Sequence, residues 1–327
     1  MFFSNFIGNE KIKERLTYLE QANRLPHAVI IEGEEGLGKH VLALDIVLNL
    51  FCRSENSPCL ECPQCSKVLK HIHPDVYEFT ATGAKNSFKV DDVRNVIEDA
   101  YVRPNEADYK VFILGNCQGM NANAQNALLK ILEEPPSYVL FILTTTSKSA
   151  MLETVLSRSV VISVDGVEPA SAAEYICTKN DGIDYADALS AATLWNGNIG
   201  KVLESLNDGK LSKIGEITGN VCRALVSDRE YDLLKACSVF EDDRDTLVAS
   251  LNMMKAVFRD SLLYSQNGGM ISGQAEIVGL IAPRLSREKI IKLINVCDEL
   301  RVLTEKNGNR PILITKLCYE LRRAQGR

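Results

Sequence analysis

Short apolar segments alternate with longer amphipathic ones over residues 27–164. The apolar segments predict five strands, over residues 29–32, 76–79, 110–114, 139–144 and 160–164. Between them, apolar residues at three- and four-residue spacing predict helices over residues 39–51, 90–101 and 122–132, and a short one near Leu152. Strands that alternate with helices in this way favour a parallel sheet covered by helices. The pattern predicts a fold and leaves the function open.

From residue 165 onward the pattern is almost entirely helical. Residues 165–208 hold eight acidic and two basic side chains and predict a small helical domain. Residues 209–327 carry no motif typical of a catalytic site and predict an all-helical third domain, whose apolar stripes suit an oligomerisation surface. The expected fold class is therefore α/β followed by all-α, with domains over residues 1–164, 165–208 and 209–327.

Composition and charge narrow the class of protein. The 327 residues are 46% hydrophobic and 24% charged, so the chain can bury a sizeable core. Its net charge of −6 argues against binding nucleic acid through net charge alone. No apolar stretch approaches the roughly 20 residues that a membrane crossing needs. The N-terminus also lacks a basic region followed by an apolar signal core. These features predict a cytoplasmic protein without a membrane partner.

A glycine-rich motif follows the first predicted strand and opens the first predicted helix. It runs from Gly33 through Gly36 and Gly38 to Lys39 and His40, and matches G-x-x-x-x-G-K. In this strand-to-helix context, backbone N–H groups can approach phosphate oxygens while the lysine neutralises their charge. The motif predicts a phosphate-binding loop (P-loop).

Two groups that would hold magnesium at such a loop are missing from the sequence. A Ser or Thr hydroxyl usually follows the lysine, and His40 is a poor substitute because Mg²⁺ prefers hard oxygen ligands. A carboxylate is also expected at the end of a later strand, but residues 110–114 are followed by Gly115, Asn116 and Cys117. We therefore predict negligible intrinsic ATPase activity and no magnesium site. Weak nucleotide binding and no nucleotide binding both remain open.

Four of the ten cysteines lie close together in the sequence. Cys52, Cys59, Cys62 and Cys65 have the spacing C-x6-C-x2-C-x2-C, which lets four thiolates surround one structural Zn²⁺. An iron–sulfur cluster and a set of free thiols are the alternatives. His71 and His73 lie nearby and could ligate, although their place before Pro74 also suits a loop-to-strand junction.

Several further motifs occur in a fixed order along the first half of the chain. They lie at residues 6–10, 33–39, 52–65, 73–75, 123–136, 141–146 and 156–159. Through these stretches, which cover most of residues 3–164, the chain resembles the delta prime subunits of the bacterial DNA polymerase III clamp loader. Several motifs in order are more specific than a phosphate loop alone.

The resemblance implies an AAA+ module of two domains, the second a small helical lid, joined to a helical collar through which five subunits form a ring. That ring uses ATP to open the sliding clamp and place it on primed DNA. In the family, tau/gamma subunits bind and hydrolyse ATP, whereas delta prime is usually catalytically silent. Tau/gamma, delta, the clamp and primed DNA are thus the implied partners. By this resemblance the chain would belong to the DNA polymerase III holoenzyme without being an ATPase itself.

The resemblance also implies roles for particular residues. Arg158 would act as an arginine finger on ATP held by a neighbouring tau/gamma subunit; an ordinary surface salt bridge is the alternative. Ser159 stands where the family has a cysteine. Thr145 falls near the position that senses the γ-phosphate, although Thr144 and Thr146 compete for it. Gly200 stands where active relatives carry a second sensing arginine. That arginine is the third group of an active ATPase that this sequence lacks.

Three classes of function are compatible with these sequence features. The first is a non-hydrolysing clamp-loader subunit, the second an active ATPase resembling tau/gamma, and the third a stand-alone zinc-containing P-loop enzyme such as a nucleotide kinase. The missing magnesium groups speak against the second. The third leaves the helical last third of the chain unexplained.

Overall fold

The computed structural model describes the chain in two compact units, Met1–Gly166 and Val167–Arg327. The described residues are 1, 3, 5–22, 24–54, 57–80, 88, 90–227, 229–241, 244–264, 270–305 and 309–326. This division falls between residues 166 and 167, and the three domains expected from the sequence stay a prediction.

The first unit is an α/β structure. Its elements in chain order are α1 (Glu10–Gln21), β1 (Ala28–Glu32), α2 (Lys39–Phe51), α3 (Pro63–Leu69), β2 (Val76–Thr80), α4 (Val90–Ala100), β3 (Lys110–Gly115), α5 (Ala122–Glu133), β4 (Val139–Thr145), α6 (Glu153–Leu156) and β5 (Val160–Ser163). All five predicted strands and the four predicted helices of this half are confirmed, with ends within a residue or two.

The five strands form one parallel sheet in the order β2-β3-β4-β1-β5. Every residue of β3 and β4 is buried, as expected for central strands of a parallel sheet covered on both faces. Separate apolar clusters fill the two faces. Since β1 lies between β4 and β5, the loop that follows it opens at a point where the strand order reverses, which is where ligands bind to sheets of this kind.

Local signals in the sequence determine where several helices begin and end. The Asn121 side chain accepts a hydrogen bond from the Ala124 N–H and so caps α5, and Pro135 follows soon after its end. The Cys62 side chain caps α3 in the same way. The sequence pattern missed α1 and α3; α3 has only seven residues, and Leu16 is the only fully buried residue of α1.

The second unit is helical throughout its described residues. Its elements are α7 (Pro169–Lys179), α8 (Tyr185–Leu194), α9 (Ile199–Asn207), α10 (Lys210–Leu225), α11 (Glu230–Cys237), α12 (Arg244–Leu263), α13 (Ala275–Ile281), α14 (Arg287–Glu305) and α15 (Arg310–Gln325). One apolar cluster belongs to α7, α8 and α9, and a larger one to the helices from α10 onward. The α/β-then-all-α fold class is confirmed, while the boundary at residue 208 stays a prediction. Among the described helices, none is both long and apolar enough to cross a membrane.

Asp75 ties the start of β2 to the loop before β3. Its fully buried carboxylate accepts hydrogen bonds from the backbone N–H groups of Asn105, Glu106 and Ala107. Burial alone would raise the pKa of Asp75, but these hydrogen bonds outweigh it and hold the pKa below its ordinary value of 3.8. The ionised carboxylate therefore stabilises the fold above about pH 4, and this contribution is lost as the pH falls through the lowered pKa.

We expect Asp75→Ala to lower the free energy of unfolding at pH 7 by about 3 kcal/mol, because it leaves buried N–H groups without an acceptor. Urea unfolding of both chains would measure this. Asp108→Ala is the matched control, since Asp108 forms only an exposed ion pair with Arg53 at 3.5 Å and should cost less than about 0.5 kcal/mol. Equal losses for the two variants would contradict the structural role given to Asp75. The difference between wild type and Asp75→Ala should shrink below about pH 4.

Candidate phosphate loop, cysteine cluster and edge arginine

The predicted phosphate loop lies at the C-terminal end of β1 and leads into α2. Gly38, the residue before the helix, has φ +80°, a conformation that glycine adopts without strain. A side chain at Gly33 would meet the Val164 carbonyl oxygen at 2.8 Å, so only glycine fits there. The Gly33 N–H donates to the Thr145 carbonyl at 3.1 Å, which joins the loop to the end of β4. The fold thus builds the loop that the glycine spacing predicts.

The loop lysine is held by the loop's own backbone. The Lys39 Nζ donates to the carbonyl oxygens of Gly33 at 2.6 Å and Glu34 at 2.7 Å, and the residue is 8% exposed. Burial lowers the pKa of Lys39, and the nearby carboxylates of Glu35 and Glu34 offset part of that effect. These two exposed acidic side chains also place negative charge where phosphate would approach. The loop therefore has the shape of a phosphate site and an unfavourable charge for one.

The magnesium position is occupied by a side chain that binds elsewhere. The His40 Nε2 lies 3.2 Å from a carboxylate oxygen of Glu78 on β2. After β3 the chain continues through Asn116 in a left-handed conformation, with no carboxylate at that strand end. Glu32, at the end of β1, accepts hydrogen bonds from the Lys148 N–H and the Ser163 hydroxyl, and this engages both of its oxygens. Sequence reasoning did not single out Glu32, although its place directly before the loop was a signal.

Thr145 is fully buried at the end of β4. Its hydroxyl donates to the Ser147 carbonyl at 3.0 Å, so it closes a local turn. The Thr144 hydroxyl accepts a hydrogen bond from the Asn116 N–H, and the Thr146 N–H donates to the Gln118 side chain. Thr145 is the one of the three whose backbone contacts the loop, through its carbonyl and Gly33. A γ-phosphate-sensing role for its hydroxyl stays a prediction.

The four predicted cysteine ligands converge around one point. Their sulfur atoms all lie within 4.8 Å of one another, and the Sγ atoms of Cys52 and Cys59 are 3.6 Å apart. A Zn–S bond of about 2.3 Å places tetrahedral sulfurs about 3.8 Å apart. Backbone N–H groups of Cys59, Cys62 and Cys65 donate to sulfurs of the cluster. This donor set fits Zn²⁺ in geometry and in chemistry.

The environment of the cluster favours a thiolate. Burial raises the pKa of Cys52, but hydrogen bonds from the Cys59 and Ser54 backbone outweigh it and lower the pKa to about 6. Burial and the neighbouring Cys62 thiol raise the pKa of Cys65. One thiol of the group therefore ionises readily, and a cation would favour ionisation of the others. His73 is no ligand here, because its Nδ1 and Nε2 contact the Asp75 N–H and the Gln64 side chain.

Arg158 lies between α6 and β5 with its side chain 33% exposed. Its Nη2 is 2.6 Å from the Glu133 carboxylate at the end of α5, and its Nη1 donates to the Thr154 carbonyl at 2.9 Å. The salt bridge that the sequence left open as the alternative is thus present within this chain. These contacts hold the guanidinium against α5 and α6, and Arg158 precedes β5, which is an edge strand of the sheet.

The fold and the glycine-rich loop together define an α/β protein of the P-loop class. It has a cysteine module after α2 and a helical second unit. Comparison with known proteins identifies a family within this class. Residues 8–168 match the family described as "DNA polymerase III, delta subunit".

The chain is also similar to named subunits of DNA polymerase III. It is 30% identical over 330 residues to DNA polymerase III subunit gamma of Buchnera aphidicola from Schizaphis graminum, covering 98% of this chain and 88% of that protein. It is 31% identical over 159 residues to the gamma subunit of Buchnera aphidicola from Acyrthosiphon pisum, covering 48% of this chain and 43% of that protein. It is 26% identical to DNA polymerase III subunit tau of Bacillus subtilis, over 82% of this chain and 51% of that protein. The chain thus spans about half the length of two of these relatives.

Among solved structures, similarity extends along most of the chain at low identity. A gamma subunit-related protein of Thermotoga maritima is 18% identical over 95% of this chain and 99% of that chain, with a TM-score of 0.36. The Holliday junction branch migration motor RuvB of the same organism is 17% identical over 84% of this chain and 83% of that one, with a TM-score of 0.42. These values are too low to transfer residue positions.

The chain belongs to the clamp-loader subunit family of DNA polymerase III and is related to its tau/gamma subunits. The parallel sheet with a loop at the end of β1, followed by a helical unit, agrees with the fold class expected from the sequence.

Proposed function

We propose that the chain is a non-hydrolysing subunit of the delta prime type in a DNA polymerase III clamp loader. In this role it helps to place the sliding clamp on primed DNA and offers Arg158 to a neighbouring tau/gamma subunit. Tau/gamma and delta are its direct partners, and it meets the clamp and primed DNA through the complex. Zinc in the cysteine cluster is structural, since four protein ligands leave no open position for chemistry.

The observation that carries this proposal is the state of the magnesium position. Phosphoryl transfer to water needs a metal ion to neutralise charge that develops on the phosphates. At this loop the residue after Lys39 is an imidazole that contacts Glu78, and β3 ends without a carboxylate. The engaged Lys39 ammonium and the two acidic loop residues also disfavour a bound nucleotide. Together these features support a subunit that does not hydrolyse ATP.

An active ATPase resembling tau/gamma is the alternative. The names of the relatives favour it, because they are gamma and tau subunits. The two candidates differ in one measurable property, turnover by the isolated chain.

We expect the purified chain alone to release phosphate from Mg-ATP no faster than its Lys39→Ala variant, because neither has a site for the metal. A coupled phosphate-release assay at millimolar ATP would measure this. Turnover above the Lys39→Ala background would overturn the non-hydrolysing role. Co-purification with tau/gamma and delta tests the other half of the proposal, and a chain that stays out of the complex would overturn its place there.

A further inference from the structure

Three potential metal ligands from separate parts of the chain meet beside the phosphate loop. His40 is in the first turn of α2, His71 follows the end of α3, and Glu78 lies in the middle of β2. The His40 Nε2 is 3.2 Å from one carboxylate oxygen of Glu78, and the His71 Nδ1 is 2.7 Å from the other. The three ligand atoms all lie within 4.8 Å of one another.

We propose that His40, His71 and Glu78 form a binding site for a divalent transition-metal ion of the zinc type. Two imidazole nitrogens and one carboxylate are a donor set that suits zinc, cobalt or nickel and disfavours Mg²⁺, which prefers oxygen. Three protein ligands leave a fourth position for water. The site is separate from the cysteine cluster, whose four sulfurs surround another point.

The arrangement of the two rings supports a shared ion. The rings of His40 and His71 stack with their centroids 6.1 Å apart and their planes 13° from parallel, so both present a nitrogen to the same carboxylate. Ligands about 2.1 Å from zinc in a tetrahedron lie about 3.4 Å apart, so ligand atoms that are now up to 4.8 Å apart must approach by up to about 1.4 Å. The side chains of His40 and His71 are 48% and 53% exposed, which leaves them room to do so.

A simple surface ion pair explains this cluster less well. Exposed ion pairs contribute about 0 to 1 kcal/mol to stability. Here the two oxygens of one carboxylate contact two imidazole rings. His71, just after α3, also has a left-handed backbone conformation with φ +55°. Glycine or asparagine usually occupies such a position after a helix. That backbone conformation costs a non-glycine residue about 1 kcal/mol, and it directs the imidazole toward β2. A bound cation would satisfy both imidazoles and the carboxylate together.

The site gives His40 a role that the phosphate loop does not. His40 stands where a hydroxyl would face magnesium in a complete P-loop, and here it is turned toward Glu78. A metal ion would join the first turn of α2 to β2 and to the segment after the cysteine module. The inference concerns this chain alone and holds whether or not the proposed clamp-loader role is correct.

Metal titration of the purified full chain tests the proposal. A mild chelator first removes weakly held ions while the cysteine cluster stays loaded, and Zn²⁺ or Co²⁺ is then added. We expect the wild type to take up one further ion, and we expect His40→Gln, His71→Gln and Glu78→Gln each to weaken its uptake roughly 100-fold or more. Loss of a group that only hydrogen-bonds to a metal ligand lowers metal affinity about 10- to 100-fold, so loss of a ligand itself should lower it at least as much. Co²⁺ at this site should show visible bands without a sulfur-to-cobalt charge-transfer band.

The chain supplies its own controls for this experiment. His27→Gln removes an imidazole at the other end of β1 and should leave uptake of the further ion unchanged. The ion held by the cysteines reports on folding in every variant, and thermal unfolding of metal-free chains provides a second check. Absence of a further ion at 100 μM free Zn²⁺ would overturn the proposal. So would full retention of that ion in His71→Gln, or equally tight binding of Mg²⁺.

Discussion

Replacing Arg158 by alanine should abolish fast ATP hydrolysis at one site of the assembled clamp loader while leaving the isolated chain unchanged. Arginine fingers supplied to a neighbouring subunit are worth about 10³- to 10⁵-fold in rate. At about 1.4 kcal/mol per factor of ten, this is about 4 to 7 kcal/mol of transition-state stabilisation. Because the other ATP sites remain, the steady-state rate should fall by one site's share. Single-turnover phosphate release with clamp and primed DNA should lose the corresponding fast phase.

The ion pair within the chain does not prevent this role. Arg158 and Glu133 are 33% and 51% exposed, and exposed pairs contribute about 0 to 1 kcal/mol. Exchanging Glu133 for the phosphates of a neighbouring subunit's nucleotide therefore costs far less than the finger supplies.

Two further variants separate a finger from a structural arginine. Arg158→Lys keeps the charge but loses the planar fork, so it should assemble like the wild type and still lack the fast phase. Arg24→Ala removes an exposed arginine from the same unit and should change neither property. An unchanged fast phase in Arg158→Ala complexes, shown by co-purification to be fully assembled, would refute the finger.

The parts of this protein that the sequence predicted are those encoded over short distances. The central strands are continuous apolar runs, so β3 and β4 were recognisable from residues 110–114 and 139–144. The cysteine cluster spans 14 residues, and its spacing alone brings the sulfurs together. The glycines before Lys39 likewise act through local backbone geometry.

Contacts between distant parts of the chain could not be predicted in the same way. The Arg158–Glu133 pair and the approach of His40 to Glu78 depend on how helices and strands pack, which residue spacing does not encode. Asn9, the residue before α1, has a left-handed conformation and its side chain makes no cap hydrogen bond, so α1 starts without the capping contact that Asn usually provides. Asp75 was part of a recognised motif, yet its partners near residue 106 follow only from the pairing of β2 with β3.

Loss of the cysteine-bound ion should have the second large effect, on stability. We expect Cys62→Ser to purify without an ion in the cluster and to unfold at a markedly lower temperature than the wild type. An ion that binds only the folded chain stabilises it by about 4 kcal/mol when its free concentration is a thousand times its dissociation constant. Structural zinc sites bind more tightly than this in most small modules. Metal analysis and calorimetry would measure the two effects.

This substitution separates the ligand role of Cys62 from its structural role. The Cys62 side chain also caps α3 by accepting a hydrogen bond from the Cys65 N–H, and serine is at least as good a cap. A loss of stability in Cys62→Ser therefore comes from the missing metal ligand, and a strong chelator should give the wild type the same unfolding temperature. Cys177→Ser, which alters a single cysteine of the second unit, should keep the ion. A full complement of zinc in Cys62→Ser would contradict the four-ligand site, and iron with its visible absorption in the wild type would favour the iron–sulfur alternative.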